Sequence, residues 1–255
     1  SATTREGTGK VSRGLVITDP NMFMIPADLQ TGNSYTYALW VKADKFAHDK
    51  QGTNLINKNT IKDKWPHNNW GDLWVQVRPE WRDHMANEVS FNTMGWEAHD
   101  EPNPSVMTKE HPMTPGVWYH IAVTHDESGV HEIFVNGMKV GHGTQPSSKR
   151  RETRGDSRIK SSEPADIFIG GGGVYKSGLN GCVDEIQIWN KPLTEAEIQV
   201  AMNGYKANEV PEGLQGYFTF EEKNADGSFP NLGKGGKQHK GRLVQLVGSG
   251  GENTS

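Results

Sequence analysis

The chain has 255 residues, a formal net charge of -4, a hydrophobic content of 33% and a mean hydropathy of -0.72. Its apolar runs, such as Ala38-Leu39-Trp40-Val41, are strand-sized, far short of the roughly 20 residues that a membrane-spanning helix needs. The mild negative charge gives no general attraction to nucleic acid, and one cysteine, Cys182, excludes an internal disulfide framework and a cysteine-rich metal site.

In chain order, residues 1–9 and 248–255 are Gly/Ser/Thr-rich and read as loose ends. The opening residues lack an apolar signal-peptide segment, so the expectation is that any export signal has been removed. Short alternating apolar runs then predict strands near 12–18, 22–26, 34–43, 53–58, 72–78 and 86–94. Further runs follow near 117–125, 130–136, 166–171, 179–189, 214–220 and 241–247. Asn136-Gly137 marks a hairpin turn into Met138-Lys139-Val140. The stretch 143–165 has no apolar period and reads as a surface loop made basic by Lys149, Arg150, Arg151, Arg154 and Arg158. One helix is predicted near 194–203, where Thr194 and Glu197 form a capping box and Gly204 is the stop. With 30 Gly, 13 Pro, 8 Phe, 8 Trp and 6 Tyr, this pattern predicts an all-β, two-sheet antiparallel sandwich with one short helix.

Three blocks carry a resemblance. They are Tyr35-Thr-Tyr-Ala-Leu-Trp-Val-Lys-Ala43; Trp118-Tyr-His-Ile-Ala-Val-Thr-His-Asp126 running into Glu132-Ile-Phe-Val-Asn-Gly-Met-Lys-Val140; and Ile167-Phe-Ile-Gly-Gly171 with Leu179-Asn-Gly-Cys-Val-Asp-Glu-Ile-Gln-Ile-Trp-Asn190. In this order they resemble the LamG-like jelly roll of the concanavalin A-like lectin/glucanase superfamily. The resemblance implies two antiparallel sheets, one concave, and common extracellular or cell-surface use. The expected unit is one sandwich over 10–247, with 213–247 as a strand pair that either closes it or is appended to it. Fold alone does not settle function, so three roles follow as expectations. The first is an exported carbohydrate-binding module for a polysaccharide or glycan; the others are a module that binds cell-surface proteins or acts as a spacer, and a jelly-roll hydrolase or lyase.

Sugar contact is expected from strand faces. Leu73, Val75 and Val77 would take the core, which turns Trp74, Gln76 and Arg78 the other way; Val89 and Phe91 likewise turn out Glu88, Ser90 and Asn92. With Trp40 on the same floor and Trp65, Trp70, Trp81 and Trp96 as a rim, this face would offer indole rings and planar polar groups to a sugar. Trp74, Gln76, Arg78, Asn92 and Trp96 are the candidate contacts; the alternative is that these rings plug the sandwich edges.

No Glu-x-Asp-x-x-Glu strand, Gly-x-Ser-x-Gly elbow or His-Glu-x-x-His is present, so no catalytic residue is assigned. Strand alternation would set Asp184 on one face with Ile186 and Ile188, where a carboxylate must be paired, capped or bound to a cation. The resemblance implies a structural Ca²⁺ at the equivalent Asp, with Asp19 and Asn21 as partners; capping of a neighbouring turn is the alternative. His120 and His125 would point to opposite faces of one strand and do not form a zinc site.

Overall fold

The computed structural model describes residues 3–4, 11–12, 14–26, 29, 31–32, 34–47, 52–59, 73–80, 85–92, 105–144, 166–171 and 178–245. Within them the strands are β1 (Thr3–Thr4), β2 (Val11–Ser12), β3 (Leu15–Ile17), β4 (Asn21–Ile25), β5 (Tyr35–Lys45), β6 (Thr53–Asn59), β7 (Leu73–Val77) and β8 (Val89–Asn92). They continue as β9 (Ser105–Met107), β10 (Tyr119–His125), β11 (Val130–Val135), β12 (Met138–Thr144), β13 (Asp166–Ile169), β14 (Asn180–Trp189), β15 (Leu214–Phe218) and β16 (Arg242–Gln245), with helix α1 (Glu195–Ala201) after β14.

Two seven-stranded antiparallel sheets hold most of these strands, as the sequence predicts. The first runs β12-β11-β10-β5-β14-β15, with β3 also paired to β14; the second runs β16-β4-β13-β6-β7-β8-β9. Between them lies the core: Tyr35, Tyr37, Leu39 and Val41 of β5 meet Val75, Val77, Phe91, Ile167 and Ile169 from the opposite sheet. The region 213–247 supplies one strand to each sheet, β15 beside β14 and β16 beside β4. Thr3–Thr4 pairs with Val11–Ser12, so part of the polar start forms a ladder. Gly143 and Thr144 belong to β12, not to a loop.

A second apolar layer covers the outer face of the first sheet. There Ala38, Ala122, Phe134 and Trp189 pack against Leu193, Ile198, Ala201 and Val210. Helix α1 starts where Thr194 accepts from the Glu197 N–H and the Glu197 carboxylate accepts from the Thr194 N–H, which satisfies two otherwise orphaned donors. Gly204, at φ +70°, ends the turn beyond it. The Asn136-Gly137 turn has both φ values positive, 50° and 81°, as its tight hairpin requires. That hairpin docks on α1: Gln199 Nε2 donates to the Gly137 carbonyl at 3.2 Å, and the Lys139 N–H donates to Glu195 Oε2 at 2.8 Å.

Candidate functional site

The outer face of the second sheet carries the candidate contacts. Because Leu73, Val75 and Val77 enter the core, Trp74 and Gln76 emerge on the far side, and Ser90 and Asn92 emerge beside them from β8. Strand β6 adds two residues that sequence reasoning missed. The register sets Asn57 opposite Trp74 and Asn54 opposite Gln76, with a bulge between Asn54 and Ile56. Without that extra residue, Asn54 and Asn57 would fall on opposite faces. The result is a row Phe168–Asn57–Trp74–Asn92 across β13, β6, β7 and β8, and beside it a row Asn54–Gln76–Ser90.

These side chains interlock. Trp74 Nε1 donates to Asn54 Oδ1 at 2.6 Å, and Arg78 Nη1 donates to Gln76 Oε1 at 2.7 Å. The indole N–H is thereby used, and the ring is left with its face and C–H edge. Among the described residues of this face, two amide atoms are buried without a hydrogen-bond partner: the donor Gln76 Nε2 and the acceptor Asn57 Oδ1. Glu88 Oε1 accepts from the Glu110 N–H at 2.7 Å at the end of the same face. Burial pulls the Arg78 guanidinium below its usual pKa, although it remains a cation at any ordinary pH.

The face is covered rather than open. Trp74 is 7% exposed, Gln76 2%, Asn57 3% and Asn92 7%, whereas Arg78 is half-buried and Glu80 exposed. Access therefore grades outward toward Arg78. Trp96, Trp65, Trp70, Trp81 and residues 145–165 lie outside the described residues. Trp40 does not share this floor: it lies on the first sheet, donates from Nε1 to the Met202 carbonyl at 3.0 Å, and meets His120 edge-on at 5.3 Å. His125 faces the core instead, stacked on Tyr35 at 5.3 Å with His131 beyond it at 6.3 Å.

The residues expected to share a calcium ion are not brought together. A bulge in β14 leaves two residues, Glu185 and Ile186, opposite Leu39, between the pairs Asp184–Trp40 and Gln187–Ala38. Alternation is reset there, so Ile186 and Ile188 stay in the core while Asp184 turns out beside Trp40, contrary to the simple reading of the strand. Asp19 packs against Gly178 before the start of β14, and Asn21 opens β4 in the other sheet. Among the described residues, no group of three or more His, Cys, Asp or Glu could hold a metal.

Asp184 serves the bulge: its Oδ1 accepts from the Glu185 N–H at 2.7 Å. Glu185, at φ +50°, turns beneath α1, where it accepts from the Tyr217 hydroxyl, which itself accepts from the Tyr205 N–H at 2.9 Å. Burial and the Glu185 carboxylate together push the Tyr217 hydroxyl far above its ordinary pKa.

Against known proteins, residues 19–199 match a laminin-G-type family model described as the concanavalin A-like lectin/glucanases superfamily. The chain belongs to this superfamily. Among solved structures, this concanavalin A-like chain is similar to a protein from Bacteroides ovatus described as carbohydrate-binding, with TM-score 0.61 and 18% identity, covering 97% of this chain and 66% of that one. It is also similar to domain 4 of AbnA, an extracellular arabinanase from Geobacillus stearothermophilus solved with arabinotriose (TM-score 0.51, 18% identity, 76% and 79% covered). A third is the heptameric SAP-like pentraxin of Limulus polyphemus (TM-score 0.50, 14% identity, 93% and 95% covered). At such identities the likeness is one of fold. Among curated protein sequences, none matches significantly.

Proposed function

We propose that the chain is a non-catalytic, exported carbohydrate-binding module that takes a polysaccharide on the outer face of the second sheet. The observation that carries this reading is the pair of unpartnered amide atoms, Gln76 Nε2 and Asn57 Oδ1, beside the Trp74 indole. Buried amide donors and acceptors are paired in the great majority of proteins, and an orphan costs about 1–3 kcal/mol. A sugar hydroxyl both donates and accepts, so a sugar entering this buried face from its Arg78 end would satisfy both orphans while C–H groups stack on the indole. Binding rather than cleavage is supported by the sequence, which carries no Glu-x-Asp-x-x-Glu strand. An extracellular or cell-surface setting goes with the same reading.

The test is retention on a panel of polysaccharides in affinity gels, with Ca²⁺ and with EDTA, while reducing ends are assayed. Arabinan is included first, given the arabinotriose complex of the AbnA domain. Retention without cleavage is expected, and Trp74→Ala should remove it. Cleavage would replace this reading with an enzyme. Absence of retention across the panel would replace it with a protein-binding role.

A further inference from the structure

The hydrogen bond between Arg78 and Gln76 does more than tie two side chains together. A guanidinium has only donors, so the Gln76 atom 2.7 Å from Arg78 Nη1 has to be Oε1. Its amide is therefore fixed in one of its two orientations, and Nε2 is turned away as a buried, unpartnered donor. Were Arg78 absent, the amide could flip and present an acceptor there instead. Such charge-assisted bonds are the stronger kind and hold geometry well. Asn57, the diagonal neighbour of Gln76 across β6 and β7, presents the matching acceptor about 7–8 Å away at Cβ. One sugar ring with its hydroxyls bridges that separation.

The two unpartnered amide atoms are one donor and one acceptor, and a sugar hydroxyl meets both kinds at once. We infer that Arg78 is a positioning residue: it orients Gln76 so that Nε2, not Oε1, is offered to the sugar. This rests on the carbohydrate-binding reading above.

The experiment uses the full chain at one salt concentration and the polysaccharide of the panel above that it retains most strongly. A double-mutant cycle isolates the role of Arg78. Arg78→Met should weaken retention about tenfold in the wild-type background and leave it nearly unchanged in a Gln76→Ala background. A purely structural Arg78 would give the same loss in both backgrounds, which overturns the positioning role. Where Arg78→Met melts far below wild type, Arg78→Lys, which keeps a single donor, is read in the same cycle with a smaller expected loss. Equal losses in the two backgrounds leave the carbohydrate reading in place; failure to retain any polymer defeats that reading itself.

Discussion

Removing the hydroxyl of Tyr217 should expose how much the buried network beneath α1 contributes. Tyr217 is fully buried, and Glu185 is 2% exposed. In Tyr217→Phe the carboxylate loses a hydroxyl donor, and the Tyr205 N–H loses its acceptor. A hydrogen bond to a charged group contributes about 1.5–3 kcal/mol and a neutral one about 0.5–1.5 kcal/mol. Glu185 has further interactions in the fold, so the carboxylate is not left alone and the lower half of the summed range applies, about 2–3 kcal/mol. For a chain of this size, that corresponds to a melting temperature lower by about 4–12 °C. Circular dichroism melts at pH 7, checked by urea unfolding with an unchanged m-value, measure it. The pH dependence has a definite sign. The hydroxyl pKa of Tyr217 is raised in the fold from 10.0, so its stabilisation is complete below pH 10 and is lost as pH rises and the unfolded tyrosine ionises. The gap between wild type and Tyr217→Phe should therefore narrow above pH 10. A melting shift under 1 °C, or a gap that stays constant from pH 8 to 11, would refute this account.

At Gly204, φ is +70°, and a Cβ there would overlap Glu185 Oε2 and stand 2.8 Å from the Tyr217 hydroxyl. Gly204→Ala should therefore cost more than the about 1–2 kcal/mol of left-handed backbone strain alone, read as a lower urea midpoint. Thr194→Ala removes one half of the capping box and should cost about 1 kcal/mol, a melting shift of about 2–4 °C. Asp226 accepts from the Ser228 hydroxyl and N–H and from Arg242, which holds its carboxyl well below the usual carboxylate range. Its contribution is present above pH 3.8 and lost as pH falls below it. The deficit of Asp226→Ala, clear at pH 6 in thermal melts, should thus shrink steadily as the pH falls from 4 to 2; a deficit unchanged between pH 6 and pH 2 would count against the assignment.

How much of this could be read from residues alone depended on whether a strand kept its alternation. Where it did, as in β5, β7 and β8, the core face was legible and Trp74, Gln76 and Asn92 were placed on the far side correctly. Where a bulge added a residue, period-2 reasoning failed: Asp184 was assigned to the wrong face, and Asn54 and Asn57 went unnoticed. Nothing in the local composition of β14 announces that Glu185 adopts a positive φ. Trp40 and Trp74 both alternate out of the core, but the sheet to which each belongs is a long-range property. A three-residue strand between Pro104 and Thr108 is too short to show a period, and the burial of the floor under other parts of the chain has no local signature at all.

The pairing of β16 with β4 has a consequence for biosynthesis. Leu243 faces Phe23 and Gln245 faces Asn21, so these partners leave the ribosome more than two hundred codons apart. Until the last of them emerges, the outer edge of β4 is a bare ladder of donors and acceptors, of the kind that recruits foreign strands. Such distant pairings also close slowly. The nascent chain therefore needs protection of that edge through nearly all of its synthesis, and shortening it by the few residues of β16 should favour aggregation over folding even though both sheets retain most of their strands.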